Sequence, residues 1–182
     1  FDQAAGQRLK YEQYIKSWEK EGYKVKISSF MNDSLWQVAH KKGYLLTKFF
    51  GIIRGYLIRI RDIFSLKDFD IVYIFQWTTP FGTKLYDYIV RILAKRIIFD
   101  LEDFVFLTHK EDLPSGSMNP NPLLKFFRSN NKTIFWIKES DHVITSSPFL
   151  NEHCKAQNLK KASTFISSSV NTDVFRPSNK YN

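Results

Sequence analysis

Three carboxylates fall within four residues at Asp100-Leu-Glu102-Asp103. On a strand, the period of two puts Asp100 and Glu102 on one face, with Asp103 just past its end. Carboxylates this close favour a cation, or one protonated member able to exchange a proton with a reacting hydroxyl. Their ordinary alternative is to cap the next segment or to pair with Lys and Arg. A second group is the loop Trp77-Thr78-Thr79-Pro80. A third is Gly6 with Gln7 and Arg8 at the start of a helix, where backbone N–H groups and the helix dipole favour phosphate and Gly permits close approach. No spacing among His40, His109, His142, His153 and Cys154 suits a metal, and Cys154 reads as an ordinary helix residue. Neither a Gly-x-Ser-x-Gly elbow, a Walker loop nor a complete dinucleotide fingerprint occurs.

The elements that must position these groups read as alternating strands and helices. Asp70–Gln76 is apolar or β-branched without polar alternation, the pattern of a central strand buried on both faces. Thr78-Thr79-Pro80 and Gly82 then break the chain. Leu85, Ile89, Ile92 and Leu93 recur at helical spacing, with Asp87, Arg91 and Lys95 between them, so the helix is predicted to bury that apolar stripe. Arg96–Asp100 returns as a second buried strand, completing a right-handed βαβ unit. Asp141–Ser147 and Thr164–Val170 read as further parallel strands, joined by a helix from Pro148 to about Asn158. Upstream, Leu9–Trp18 has helical spacing, Gly22 stops it, and Tyr23–Phe30 alternates as a half-buried strand. The stretch His109–Pro122 carries Pro, Gly, Ser and Asn like an exposed mobile loop that could act as a lid, and Leu123–Glu139 reads as two helical pieces or one distorted helix. The expected fold is α/β, a Rossmann-like, doubly wound, mainly parallel sheet. In such sheets ligands sit outside the carboxyl ends of the strands, where both the Trp77 loop and the acidic corner fall.

Composition narrows the class of partner. A 43% hydrophobic and 16% aromatic content excludes a disordered chain. One Cys among 182 residues suits a reducing compartment, and no run of apolar residues is long enough to cross a bilayer. The net charge of +9 points to an anionic partner. Residues 33–64 concentrate Trp36, Tyr44, Phe49, Phe50 and many aliphatics among Lys41, Lys42, Lys48, Arg54, Arg59 and Arg61. One reading is a pair of helices with solvated cations outside. The other adds contact with an anionic membrane surface, aromatics entering the interface and cations meeting phosphates. The same apolar residues could form a homodimer. Nucleic acid is not an expected partner, since the aromatics suit core packing and no recognised motif occurs.

The C-terminal pattern is more specific. A strand Asp141–Ser147, a helix, a strand ending Ile166-Ser-Ser-Ser-Val170, then Asn171-Thr-Asp-Val-Phe-Arg-Pro177 together resemble the N-terminal domain of the family 4 glycosyltransferases, of GT-B fold. There the last strand of the domain is followed by Gly-Val-Asp-x-x-x-Phe-x-Pro. Val170, Phe175 and Pro177 match, while Ser169 stands where Gly is usual and Asn171 where Asp is usual. Gly6-Gln-Arg8-Leu-Lys-Tyr-Glu-Gln-Tyr followed by Gly22-Tyr-Lys-Val is similar to the family's glycine loop, first helix and second strand.

The resemblance implies retaining transfer of a sugar from a nucleotide-diphosphate sugar to an acceptor hydroxyl, on a glycan or a lipid-linked acceptor, without a bound metal or a resident cofactor. It implies an acceptor-side domain over 1–177, an interdomain linker beginning at 178–182, and a C-terminal donor-binding domain absent from this chain, so that the chain alone would be inactive. Gly6 and Arg8 would approach the donor diphosphate, Trp77, Thr78 and Thr79 would belong to the acceptor site, and Asp103, with Asp100 and Glu102, would orient or deprotonate the acceptor hydroxyl. The single Cys suits the cytoplasm, and the basic, aromatic residues 41–64 suggest a peripheral position at the inner face of a membrane. The alternative from another class is a non-catalytic Rossmann-like module that binds an anionic membrane or protein partner.

Overall fold

A computed structural model describes residues 5–39, 41–80, 82–103 and 131–172, which fall into two units, Phe1–Ser29 with Ser167–Asn182 and Phe30–Ile166. In the smaller unit the predicted helix is broken into α1 (Ala5–Lys10), a 3-10 turn (Glu12–Tyr14) and α2 (Ile15–Lys20). The break has a local cause. The Gln13 side-chain amide donates to the Leu9 carbonyl at 2.7 Å and to the Ser169 carbonyl at 2.9 Å, occupying an acceptor that a continuous helix would use. Gly22, at φ +93°, supplies the left-handed residue that ends α2.

Tyr23–Ser29 is not a strand. Alternation provides one apolar face, but a strand exists only as part of a ladder, and no strand is described in this unit. Tyr23, Val25 and Ile27 are all exposed.

The larger unit contains α3 (Asp33–Ala39), α4 (Leu45–Ser65), β1 (Val72–Phe75), α5 (Leu85–Leu93), β2 (Ile97–Leu101), α6 (Asn131–Glu139), β3 (His142–Thr145), α7 (Pro148–Gln157) and β4 (Ser163–Phe165). Its four strands are all parallel and lie in the order β1-β2-β3-β4. Val72 pairs with Ile97, Phe99 with Val143 and Thr145 with Phe165. Two expectations change here. The buried central strand is β2, with Ile97, Phe99 and Leu101 fully buried, and β1 is at the sheet edge among the described residues. Among the described residues the order is also monotonic, without the reversal of a doubly wound sheet, in an α/β, all-parallel arrangement consistent with a Rossmann-like fold. Right-handed crossovers in one direction put their helices on one face, and one face is what the core shows: Ile74, Ile97, Phe99, Leu101 and Val143 cluster with Val90 of α5, Phe135, Trp136 and Ile137 of α6, and Leu150 and Cys154 of α7. Burial raises the Cys154 thiol to about 12, which makes it an inert packing group.

Two polar side chains fix the connections. Asp141 accepts from the Ile97 amide at 2.7 Å and pairs with Lys160, clamping β2 to β3 at their amino ends. Asn158 is fully buried yet satisfied: its amide nitrogen donates to Ile137 O at 2.9 Å and Ser140 O at 3.0 Å, while its oxygen accepts from the amides of Lys160 and Ala162. It ties the end of α6 to the turn between α7 and β4. The start of α7 is as its sequence implies, with Pro148 in the first turn and the Ser147 hydroxyl accepting from the Leu150 amide.

Helix α4 packs closely on α3 and the chain before it. A Cβ on Gly51 would meet the Leu35 side chain at 3.0 Å, and one on Gly55 would lie 2.8 Å from both the ring and the carbonyl oxygen of Phe30. Backbone cannot yield as a flexible side chain does. The helix-propensity gain of about 1 kcal/mol for Gly→Ala is therefore outweighed, and Gly55→Ala is expected to lower the unfolding free energy by about 1–3 kcal/mol in urea titration, whereas Arg54→Ala on the exposed side stays within about 0.5 kcal/mol.

Candidate functional site at the carboxyl edge of the sheet

At the end of β1 the chain reverses sharply. The Trp77 amide donates to the Phe75 carbonyl at 2.7 Å across Gln76, whose φ is +60°. A three-residue turn of this hand is rare and strained for a residue with a side chain. Strain of this kind persists only where the surroundings over-determine it.

The surroundings here are a buried polar network. Thr78 and Thr79, expected to face a ligand, point inward and are 8% and 2% exposed. The Thr78 hydroxyl donates to Asp87 Oδ1 of α5, which also accepts from Trp136 Nε1 of α6 at 2.8 Å. Lys132 Nζ, on α6, donates to Thr79 Oγ1 at 2.5 Å and stands 3.8 Å from Asp87 Oδ2. From α4, Arg59 Nε donates to the Thr78 carbonyl at 2.7 Å. Three helices thus hold one short loop.

Asp87 was expected on the polar side of α5, and it is fully buried instead, while Leu85, Ile92 and Leu93 are exposed. The helix is amphipathic, with Leu85, Ile89, Ile92 and Leu93 on the side away from Asp87 and Arg91, yet its apolar stripe faces outward, so periodicity does not choose the face that is buried. Hydrogen-bond donors on the neighbouring loop and helix do. Burial pushes the Asp87 carboxyl up from the ordinary carboxylate range, opposed by Thr78, Lys132 and Trp136. Burial likewise pushes the Lys132 ammonium down, opposed by Asp87.

The three neighbouring carboxylates separate in the fold. Asp100 is 1% exposed and accepts from the Tyr73 hydroxyl, so it is a buried sheet residue and not a free acid at the edge. The reason is register: Asp100 lies opposite Phe75, on the face that also carries Tyr73. Glu102 continues past the strand and accepts from Gln76 Nε2 at 3.4 Å, and its carbonyl takes the Ser146 hydroxyl from the end of β3. Asp103 is exposed. Trp77, 39% exposed, follows Gln76 at the carboxyl end of β1, the strand paired with β2. The edge therefore presents Gln76, Trp77, Glu102 and Asp103: an amide, an aromatic ring and two carboxylates. Among the described residues no three His, Cys, Asp or Glu side chains gather as a metal site.

Gly6 lies in the first turn of α1 and Arg8 is exposed. Of the cations grouped as surface residues, Lys41, Lys42, Arg54 and Arg61 are exposed, and Lys48 turns back onto the Lys41 carbonyl. Arg59 does not belong with them. Its side chain is 12% exposed, 3.2 Å from Asp62 Oδ2 and 6.0 Å from the centre of the Phe30 ring. The segment His109–Pro122, residues 104–130 as a whole, and the Phe175 and Pro177 positions lie outside the described residues.

Sequence reasoning missed Gln76, Asp87, Lys132 and Trp136 as a group. One signal was present: Asp87, close to Ile89 and Val90 in a helix expected to pack on a sheet, is a residue that requires buried partners if that side of the helix turns inward. Comparison with protein-family models, with curated proteins and with solved structures finds no match for this chain.

Removing one side of a buried pair leaves the other charge without compensation. Asp87→Ala is accordingly expected to cost about 3–5 kcal/mol of unfolding free energy, and Thr78→Val about 1 kcal/mol, both read by urea denaturation, with Lys132→Met in the Asp87→Ala background recovering part of the loss.

Proposed function

We propose that the chain is the acceptor-side domain of a retaining glycosyltransferase, its acceptor bound at the carboxyl edge of the sheet. The observation that carries the reading is the set Gln76, Trp77, Glu102 and Asp103 at the ends of adjacent parallel strands, with Gln76 bonded to Glu102 and the loop after Trp77 anchored by buried hydrogen bonds of Thr78 and Thr79. A hydroxylated ring suits such a set. Its C–H face packs on an indole, while amide and carboxylate groups take paired hydroxyls and fix orientation. The location agrees with where open parallel sheets bind ligands, and the resemblance of the chain's C-terminal pattern to the family 4 glycosyltransferases supplies the reaction class.

In that reaction the bond between the sugar's anomeric carbon and the donor phosphate oxygen breaks, the anomeric carbon bonds to the acceptor oxygen, and the acceptor proton leaves. Asp103 is the exposed carboxylate suited to orient the hydroxyl or take its proton, and Glu102, held by Gln76, fixes the ring. Asp100 is given no part, because its carboxylate is committed to Tyr73. Gly6 and Arg8 as donor-diphosphate contacts, and donor binding by a second domain, rest on the resemblance.

The test is thermal stability and sugar transfer with a panel of nucleotide-diphosphate sugars and glycoside acceptors, with and without divalent metal. It is run on the full reading frame that encodes the chain, and on residues 1–182 alone. The expected result is a metal-independent shift and transfer in the full protein, with Asp103→Asn lowering kcat by about 100-fold or more at nearly unchanged stability. No shift and no transfer with any donor, in folded protein, would replace the enzyme reading with the non-catalytic module.

A further inference from the structure

Helix α4 is turned the opposite way from an ordinary surface helix. Its inner face carries small and polar groups, Gly51, Gly55, Arg59 and Asp62, against Leu35, Phe30 and the Thr78 carbonyl. Its outer face is a continuous stripe of Leu46, Phe50, Ile53, Leu57, Ile60 and Phe64, with Leu46 and Phe64 74% and 75% exposed. Twenty-one residues of helix extend about 30 Å, and the stripe runs along nearly all of it. Monomeric proteins rarely leave so long an apolar row uncovered without a partner for it.

Charge identifies the partner. Between residues 34 and 61 there is no Asp or Glu. By helical period Arg54 and Arg61 lie along one border of the stripe, and Lys41 and Lys42 precede its amino end; all four are exposed. The nearest carboxylate on α4, Asp62, is buried, 3.2 Å from Arg59 through Oδ2 and 3.9 Å from the exposed Arg61 through Oδ1. A second copy of the chain would meet this face in an isologous contact, bringing cation-rich borders together with only Asp62, shared between Arg59 and Arg61, to offset them. An anionic lipid surface meets both features at once, acyl chains taking the stripe and phosphates the Arg and Lys. No described helix is long and apolar enough to cross a membrane, so α4 would lie in the interface plane.

We infer that the outer face of α4 docks the protein on an anionic lipid bilayer. The Arg59 bond to Thr78 joins the docked helix to the loop at the carboxyl edge, so binding would hold that edge near the lipid surface. The inference rests on α4 alone and stands whether or not the protein transfers sugar.

The experiment is co-sedimentation of the chain with phosphatidylcholine vesicles and with vesicles containing about a third phosphatidylglycerol, at about 0.05 M and about 0.5 M salt. Binding to anionic vesicles at low salt, weakened at high salt and weak on neutral vesicles, is expected. Arg54→Gln with Arg61→Gln should reduce partitioning about 5- to 30-fold, and Leu57→Ser with Phe64→Ser by about tenfold or more. All four positions are at the surface, and unchanged circular dichroism and Tm confirm that the variants fold. Equal sedimentation with both vesicle types, or binding that neither pair of substitutions alters, would overturn the inference. So would a concentration-dependent dimer dissolved by Leu57→Ser with Phe64→Ser in a protein that binds no vesicles, which would assign the stripe to a second copy.

Discussion

A carboxylate with no access to water sets the geometry of the larger unit. Asp87 is charged in solution and expensive to bury, so it is tolerated only where donors surround it. Thr78 and Trp136 donate to its Oδ1 and the Lys132 ammonium stands 3.8 Å from its Oδ2, and each lies on a different piece of chain from Asp87 itself. Satisfying them fixes the rotation of α5, the approach of α6 and the path of the loop between β1 and α5. Packing of Val90, Phe99 and Trp136 then follows in the same core. A network of this kind has few alternative arrangements, because moving any member leaves a buried polar atom unmet.

The strained turn at Gln76 is intelligible in that light. Its left-handed backbone is disfavoured by itself, but Thr78 and Thr79 are bonded from below by three helices, and the Gln76 amide donates to Asp100 O at 2.9 Å. The loop is therefore anchored from three helices, with Gln76 and Trp77 at its start on the outer side.

Much of the fold was legible in the sequence where one physical requirement acted alone. Ile97-Ile-Phe reads as buried strand because nothing polar interrupts it, and Ser147-Pro148 announces the start of α7 through its own capping chemistry. Legibility ended where tertiary partners decided between local options. The direction α5 faces depended on Thr78 and Trp136; the fate of Arg59 depended on Phe30, Asp62 and the Thr78 carbonyl; and the run Tyr23–Ser29 had the alternation of a strand without a ladder to join. The acidic corner shows the same limit. Spacing placed Asp100 and Glu102 on one face, but only the register of β1 against β2 revealed that Tyr73 takes Asp100 while Gln76 takes Glu102.

Hydrogen exchange at the Trp136 indole tests the central role of the Asp87 network most directly. With the Nε1 proton donated to a fully buried carboxylate, exchange is predicted to require global opening, so its protection should equal that of the β2 and β3 amides. An indole proton that exchanges as fast as that of the partly exposed Trp77 would show that the carboxylate does not hold α6, and would contradict the account of the loop built on it.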